Sequence, residues 1–396
     1  MASASASLLT RCRALPRAVW VLCLGQFINR FGTFVMPMLT LYLTRSGFSE
    51  VQSTLAVGAY GGGLLVASLF GGWLADRVGR RNAIMVAMFG GAALMLALSQ
   101  ARSYPAIVTL TFFTGLFSEL YRPAAGALIA DLVPEGERVT AWAVYRFALN
   151  AGFACGPAIA GLIAARGFFW LFAGDAITSA CFGVVALALL PQGHRAPRAE
   201  SGWMVALRAA RRDRSLQVYL AAMFLLSLAL PQLNTNFALH TRDLGLSTRT
   251  FGLLLSLNGL IIIVCELPLI AITRRLPARP VMAAGMVVMG VGFGLIPGCA
   301  TAVGLTGMML LWTTGEMLAF PVMSAFFADL APRDLRGRYL GLNGVTWALG
   351  NMLGPPLGTM VYQLHPSVLW LACAALCALA ALFAAGTPAA AGARPR

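Results

Sequence analysis

The sequence contains no lysine, few acidic residues and only three histidines. Its 29 basic residues are therefore all arginine, against 14 aspartates and glutamates, and only 11% of the 396 residues are charged. The absence of lysine excludes a P-loop nucleotide site, which needs a lysine on the phosphates, and it excludes Schiff-base catalysis. Three histidines far apart in the sequence do not favour a histidine-rich metal site. The sequence thus predicts no metal, no cofactor and no enzymatic activity.

The composition is far more apolar than that of a soluble protein. Hydrophobic residues make up 59% of the chain, and the mean hydropathy is +0.78. A soluble domain is about 45–50% apolar and about 25% charged, so a polytopic membrane protein is predicted. The net charge of +15 does not predict a nucleic-acid partner, because no soluble segment long enough to fold carries a basic cluster. The eight cysteines lie mostly in apolar runs, where they are expected to pack as small apolar residues.

Twelve apolar runs are long enough to cross a bilayer, which takes about 20 residues in a helix. We number them spans 1 to 12, and they cover 18–44, 51–74, 82–100, 104–131, 139–164, 168–190, 216–241, 250–272, 281–298, 302–330, 338–361 and 367–386. Most connections are short, but the arginine-rich stretch between spans 6 and 7 is long. We therefore predict a six-helix bundle over 1–190, a cytoplasmic linker over 191–215 and a second six-helix bundle over 216–396.

The distribution of arginine predicts the orientation of these spans. With the amino terminus inside, the inner segments hold 21 arginines and the outer loops hold five, as the positive-inside rule requires. Both termini are then cytoplasmic, in a multi-pass protein of the cell (inner) membrane. Asn29 and Arg30 interrupt the first run, and no small-residue cleavage site follows it, so it is predicted to be a retained helix rather than a signal peptide.

An internal repeat relates the two halves of the chain. A shift of 198 residues superimposes eight identical residues without a gap across spans 4 and 5 and their copies. These pairs include Pro123 and Pro321, Asp131 and Asp329, Gly152 and Gly350, Gly156 and Gly354, and Pro157 and Pro355. Such a parallel repeat predicts two copies related by an axis along the membrane normal. The expected fold is all-α, with twelve transmembrane helices in two pseudo-symmetric six-helix bundles.

The connection between spans 2 and 3 reads Gly-Trp-Leu-Ala-Asp-Arg-Val-Gly-Arg-Arg over 72–81. It resembles the signature loop of the major facilitator superfamily, and the resemblance implies a conformational latch. The latch residues would be Gly72, Asp76, Arg77, Gly79, Arg80 and Arg81. In that family the acid contacts the start of span 11, and an arginine of the loop pairs with an acid at the end of span 4, here Asp131.

Span 5 carries Gly152, Gly156, Pro157 and Gly161 in a pattern similar to the signature of drug–proton antiporters, with Ala160 replacing one glycine. Span 11 repeats the pattern at Gly354 and Pro355. Glycine at every fourth position gives a flat helix face for a close partner, so we add these residues to the latch. Arg122 and Gly126 fit the arginine motif of span 4 in the same family. The resemblance covers nearly the whole chain and implies proton-coupled export of drug-like compounds.

Charged and polar side chains inside the spans predict a polar cavity, because such groups are costly in lipid and face a partner or water. Glu119 and Arg122 are three residues apart and share a helix face, so we assign them to proton coupling together with Glu316. Which acid titrates stays open among Glu119, Glu266 and Glu316, and Glu119 is preferred. Asp175 is interpreted as a packing residue of span 6.

The predicted substrate-binding residues are the polar and aromatic groups of spans 1, 5, 7, 8, 10 and 11. They are Gln26, Asn29, Arg30, Thr33, Tyr145, Arg146, Asn150, Asn234, Asn258, Glu266, Trp312, Asn343 and Trp347.

Three functions fit the sequence to different degrees. The first is gradient-driven export of lipophilic or amphipathic small molecules by alternating access, in a monomer that exchanges substrate for protons. The alternative is proton-driven uptake of a small organic solute, with anionic and peptide-like solutes as candidates. Gln26, Asn29 and Arg30 fall where peptide symporters carry Glu-x-x-Glu-Arg, but both acids are amides here. A non-transporting scaffold is the least favoured, because the polar spans would have no purpose in it.

Overall fold

The computed structural model describes residue 12 and residues 14–134, 137–164, 166–192, 211–273, 276–330 and 336–387. All regular structure in these ranges is helical. Spans 1 to 6 are Arg17–Phe31 with Val35–Arg45, Glu50–Val78, Arg80–Gln100, Tyr104–Leu132, Arg138–Ala164 and Phe169–Leu189. Spans 7 to 12 are Arg214–Ala229 with Asn236–Asp243, Thr248–Thr273, Ala278–Leu295, Ala302–Leu330, Arg336–Leu364 and Pro366–Gly386. The twelve predicted spans are confirmed. The predicted linker lies mostly outside the described residues, so its bounds stay a prediction.

Ten of the twelve spans, as far as they are described, are long and apolar enough to cross a membrane. Spans 4 and 11 are the exceptions, because charged and small polar residues dilute their apolar content. The chain is thus a multi-pass membrane protein. On the predicted orientation, we call the end with the 72–81 connection the inner end and the opposite one the outer end.

Spans 1 and 7 are each broken near their middle. Span 1 stops at Phe31, where the Gly32 amide donates to the carbonyl of Ile28 at 3.1 Å, and a second segment starts at Val35. Span 7 passes through a short 3₁₀ turn over Leu230–Leu233 that contains Pro231, a residue that cannot donate a backbone hydrogen bond. The 198-residue shift brings the two breaks into register. The internal repeat therefore includes the breaks in spans 1 and 7 as well as the matching residues.

Helix packing repeats between the halves as well. In the first half, span 4 packs on spans 2 and 3, span 6 packs on spans 1 and 3, and span 1 packs on span 5. The second half shows the same pairs six spans later: span 10 with 8 and 9, span 12 with 7 and 9, and span 7 with 11. The halves meet where span 2 packs on span 11 and span 5 packs on span 8.

Glycines set the distance between helices at these contacts between the halves. A side chain on Gly61 would clash with the backbone of Asn351 and Met352, and one on Gly259 would clash with the backbone of Ala154. Gly61 and Gly259 are 198 residues apart, so the close contact of span 2 with span 11 is repeated between span 8 and span 5. Small residues of this kind let membrane helices approach closely.

Polar contacts join the halves at the outer end. Arg242, at the end of span 7, forms an ion pair with Glu50, at the start of span 2, and the Gln363 amide donates to the same carboxylate at 3.4 Å. Arg45 donates to the Thr248 hydroxyl at 2.9 Å. These contacts hold the outer ends of the two bundles together in this conformation.

Candidate functional site: a central cavity between the two halves

A cavity of about 370 Å³ lies between the two halves near the middle of the spans. Its wall is aromatic and aliphatic with a few charged and amide side chains, the usual composition of a small-molecule site. The polar residues that line it are Arg30, Arg122, Asn150, Asn234, Asn258, Glu316 and Asn351. The aromatic ones are Phe153, Trp312, Phe320 and Trp347. A smaller cavity of about 160 Å³ shares Asn150, Glu316 and Phe320 with it.

The smaller cavity extends the site towards the inner end. It adds Arg146, eight residues from the inner end of span 5, and Glu266, seven residues from the inner end of span 8. The outer end is bridged by polar contacts, and among the described residues the polar surface continues towards the inner end along this path. The arrangement corresponds to a site that faces inwards.

Glu119 lies between two arginines on the wall formed by the first half. Its carboxylate is 2.7 Å from Nε of Arg122 and 3.6 Å from Nη2 of Arg30, which also donates to the Tyr121 hydroxyl at 3.3 Å. Arg122 is half-exposed and lines the cavity, whereas Glu119 is largely covered. This cluster carries one net positive charge. The predicted contact between Glu119 and Arg122 is present, and Arg30 is an additional partner from span 1.

Glu266 pairs across the boundary between the halves. Its Oε1 is 3.1 Å from Nη2 of Arg146, and its Oε2 accepts from the Asn150 amide at 3.5 Å. The sequence predicted all three residues for the substrate site, but it did not predict that they contact one another. Their partners are about 120 residues away on the other half, beyond the reach of helical spacing.

Glu316 is the acid of the central cavity that has no cationic neighbour among the described residues. Its Oε2 accepts from the Asn258 amide at 2.6 Å, and that amide also donates to the Thr313 hydroxyl at 3.1 Å. Both Glu316 and Asn258 line the cavity. The second half therefore presents an acid without a cationic partner opposite the positive cluster around Glu119.

Several predicted substrate residues lie elsewhere in this conformation. Gln26 and Tyr145 are buried against each other, with a hydrogen bond of 3.0 Å from the tyrosine hydroxyl, so they do not line the cavity and the structure gives no support for their predicted role. Asn29 and Thr33 face the interior of the first half. Asn343 is half-buried and does not line the cavity. Asn351, which the sequence analysis omitted, does line it, and its position four residues after Trp347 is the signal that could have identified it.

The signature loop shows one of its expected contacts. Nε of Arg80 lies 3.1 Å from Oδ2 of Asp131 at the end of span 4. Gly79 joins spans 2 and 3 with φ of +90°, a conformation that favours glycine. Arg77 stacks over the Trp73 ring at 5.2 Å. The side chains of Asp76 and of Arg336 and Arg338 at the start of span 11 lie outside the described residues, so that contact stays a prediction, as does the latch role.

The glycines of span 5 allow its backbone to contact the backbone of span 1 directly. A Cβ on Gly156 would lie 2.9 Å from the carbonyl oxygen of Phe31, and one on Gly152 would lie 2.7 Å from that of Phe27. In the second half, a Cβ on Gly354 would lie 2.8 Å from the carbonyl oxygen of Leu228. Gly161 instead faces the start of span 8. These residues therefore serve helix contacts both within and between the halves.

The contact between Arg80 and Asp131 leads to a testable prediction. We expect Asp131→Asn to lower transport several-fold and to lower the free energy of unfolding by only about 1 kcal/mol, a typical value for a partly exposed ion pair. Transport by reconstituted protein and thermal unfolding would measure both effects. Glu137→Gln makes the matched change in the adjacent connection and should transport normally. Normal flux in Asp131→Asn would remove this pair from the latch.

No group of three or more His, Cys, Asp and Glu side chains that could hold a metal occurs in the described part of the chain. The arrangement of the site is instead that of a binding cavity. One wall carries Arg30 and Arg122, the other carries the acid Glu316, and the cavity lies between the two packed halves.

Comparisons with known proteins agree with this architecture. The family model of the Major Facilitator Superfamily matches residues 22–240 and 233–395. The chain is 25% identical to the multidrug resistance protein MdtH of Aeromonas salmonicida over 352 residues, covering 87% of each chain. It is 21% identical to the quinolone resistance protein NorA of Staphylococcus aureus over 361 residues, covering 89% of this chain and 91% of the relative.

A solved structure of the peptide transporter POT in complex with sulfate superimposes with a TM-score of 0.79 at 17% identity. The match covers 96% of this chain and 97% of that one, and at this identity it shows the fold alone. Two matches of the family model together span nearly the whole chain. The chain therefore belongs to the Major Facilitator Superfamily and is a membrane transporter rather than an enzyme.

Proposed function

We propose that this transporter exports lipophilic or amphipathic small molecules, drugs included, in exchange for protons. The observation that carries the proposal is the central cavity, whose aromatic wall is combined with an uncompensated carboxylate at Glu316. Such a wall binds apolar ring systems, and the carboxylate provides a contact for a cationic group. The resemblance to drug resistance proteins supports the same substrate class.

The cluster around Glu119 supplies the coupling in this proposal. In this conformation Arg122 and Arg30 contact Glu119, and their charges attract its carboxylate. A rocking motion that separates spans 1 and 4 would leave a poorly solvated carboxylate that takes up a proton, whereas a cationic substrate in the cavity favours the charged carboxylate and therefore the release of that proton. Substrate and proton then compete through one contact, which is a coupling free energy between two ligands.

In the proposed cycle, the two halves alternate around the central cavity. The substrate enters the cavity from the inner side while the polar contacts at Glu50 and Arg242 hold the outer end closed. The halves then rock about the contacts of span 2 with 11 and span 5 with 8. Protons that arrive from outside displace the substrate. Movement of two rigid repeats around a central site is the general scheme for transporters built from repeats.

Everted membrane vesicles from cells that express the protein would test the proposal. A proton gradient, acid inside, is formed first and followed with a pH-sensitive dye. A panel of ethidium, a fluorescent quinolone, a neutral lipophile, an organic anion and a dipeptide is then added. We expect ethidium and the quinolone to dissipate the gradient in these vesicles but not in vesicles from cells without the protein. The absence of a response to every compound would contradict proton-coupled export.

A second candidate is proton-driven uptake of a small anionic or peptide-like solute. The positive wall around Arg122, with two arginines for one glutamate, favours it, and the fold is shared with a peptide transporter. The buried hydrogen bond between Gln26 and Tyr145 disfavours peptide uptake. Gln26 occupies a position of the peptide-symporter motif, and this hydrogen bond holds its side chain away from the cavity. In the vesicle assay, a proton–solute symporter would dissipate the gradient only when the anion or dipeptide is loaded inside the vesicles, and ethidium added outside would give no response.

The position of Glu316 predicts a charge-selective effect. We expect Glu316→Gln to weaken ethidium binding about tenfold, or about 1.4 kcal/mol, because the carboxylate has no other cationic neighbour among the described residues. Fluorescence titration of purified protein measures this. Binding of the neutral lipophile serves as the control and should change little, since the amide has the same shape. An equal loss for both ligands would mean that Glu316 supports the cavity rather than binding the cation.

A further inference from the structure

A second, smaller polar chamber lies inside the first half, surrounded by spans 1, 2, 3, 4 and 6. Its volume is about 40 Å³, room for two or three water molecules at about 10–15 Å³ each. Asn29, Arg30, Thr114, Asp175 and Ser179 contribute polar groups to its wall, and span 3 contributes alanine, glycine and methionine. None of the transport steps described above uses this chamber.

Asp175 is the acid of the chamber, and it is only 5% exposed. Its carboxylate lies beside the backbone amides of Phe34 and Val35, where the second segment of span 1 begins, and beside the Ser179 hydroxyl, and it interacts favourably with all three groups. Ser179 in turn accepts from the Asn29 amide at 3.2 Å. Oδ2 of Asp175 has no hydrogen-bond partner among the described residues. The hydroxyl of Thr114, in the same chamber and 1% exposed, has none either.

Arg30 is shared by the chamber and the central cavity, since its side chain lines both. On the cavity side it contacts Glu119 at 3.6 Å and the Tyr121 hydroxyl at 3.3 Å. On the chamber side it is the cation that faces Asp175. Asp175 and Glu119 therefore share the charge of Arg30, with Asp175 on the chamber side and Glu119 on the cavity side.

We propose that Asp175 is a second proton-binding site, and that Arg30 links its occupancy to the substrate cavity. The proposal rests on the proton-coupled export described above and extends it from one proton site to two. A proton adds to the free Oδ2, so that the carboxylate becomes a carboxylic acid and no covalent bond is broken. The charge of Arg30 is then available to Glu119 alone, which stabilises the charged form of Glu119 and its pair with Arg122.

The surroundings of Asp175 support this assignment. The titratable groups that face the chamber are Arg30 from span 1 and Tyr60 from span 2, and Glu119 of span 4 acts through Arg30. A carboxylate with a free oxygen in an apolar bundle is costly to keep charged, and burial favours its neutral form. Asp175 also caps the second segment of span 1, so a change in its charge acts directly on the broken span that carries Arg30.

Proton release on substrate binding tests the proposal. Purified protein in detergent and weak buffer receives ethidium at a series of pH values, and a pH indicator counts the protons released per ethidium bound. For Asp175→Asn, we expect the maximum number of protons released per ethidium bound to be about one lower than for the wild type. Glu119→Gln should show a similar decrease. The double variant should release about two protons fewer than the wild type. Unchanged release in folded Asp175→Asn would overturn the proposal.

The choice of variants separates proton binding from a structural role. Asparagine keeps an oxygen that can cap the segment starting at Val35, and it caps helices about as well as aspartate, whereas Asp175→Ala loses the cap. A purely structural aspartate predicts that Asp175→Ala destabilises the protein and that Asp175→Asn releases as many protons as the wild type. If Asp175→Asn does not fold, Ser179→Ala decides. It removes a donor to the carboxylate and should move the release midpoint to higher pH, and an unmoved midpoint would overturn the proposal.

Failure of the broader function would look different. If the wild type binds ethidium without releasing protons, then proton-coupled export itself fails, whatever Asp175→Asn does. If the wild type releases protons and Asp175→Asn releases the same number, only the second site fails.

Discussion

Glu119→Gln is expected to abolish substrate accumulation against a gradient while substrate binding persists. The amide keeps the shape of the side chain but cannot gain or lose a proton, and it no longer attracts Arg30 and Arg122 as a charge. Uphill transport should fall to the level of vesicles without protein. Exchange of labelled for unlabelled substrate at equal pH on both sides should continue, because exchange needs binding and rocking but no net proton movement.

Two controls make this result specific. Glu119→Asp keeps the charge at a shorter reach and should retain part of the uphill transport. Glu316→Gln should keep uphill transport of a neutral lipophile. Active transport retained in Glu119→Gln but lost in Glu316→Gln would reverse the assignment and make span 10 the coupling helix.

Gly156→Leu is expected to abolish transport or to make the protein leak, and to destabilise it. The new side chain would start 2.9 Å from the carbonyl oxygen of Phe31, so spans 1 and 5 would have to separate. Overpacking of this kind costs about 1–3 kcal/mol. Thermal unfolding measures the stability, and dye efflux from proteoliposomes measures the leak.

Gly307→Leu is the matched control for this substitution. Gly307 is also helical, but it is exposed, and a Cβ there meets no atom within 4 Å. It should therefore change stability and transport little. Equal behaviour of the two variants would show that the contact between spans 1 and 5 does not limit folding or transport.

The sequence predicted the number and bounds of the spans because a bilayer imposes a strong length and polarity rule on each helix. The family and the two-fold repeat were confirmed for a related reason. Pro123, Gly152, Gly156 and their copies mark backbone features that each half must reproduce. The structure adds that the contact between Gly156 and the Phe31 carbonyl recurs between Gly354 and the Leu228 carbonyl.

The partners of the polar side chains were harder to predict. Helical spacing predicted the contact between Glu119 and Arg122, because these residues are about one helical turn apart. It could not find Glu266 with Arg146, or Glu119 with Arg30, because these pairs join helices whose relative rotation a single sequence does not reveal. The same limit explains why Gln26, a polar residue of span 1, was placed in the cavity although it packs on Tyr145.

Asp175 shows a further limit of sequence reasoning. As one acid in an apolar helix, it was interpreted as a packing residue of span 6. The structure shows instead that it caps the break in span 1 and faces a chamber shared with Arg30. Neither the cap nor the chamber could be inferred from span 6, since both depend on the neighbouring spans.

Transport by purified protein in proteoliposomes tests the central claim most directly. An acid lumen drives protons outwards, and ethidium, which carries a permanent charge and is not trapped by pH alone, is supplied outside. We expect ethidium to accumulate inside only while the pH gradient lasts, to be released when nigericin with potassium removes the gradient, and not to accumulate in Glu119→Gln. Accumulation only when the gradient is reversed, so that ethidium and protons move in the same direction, would contradict proton-coupled exchange.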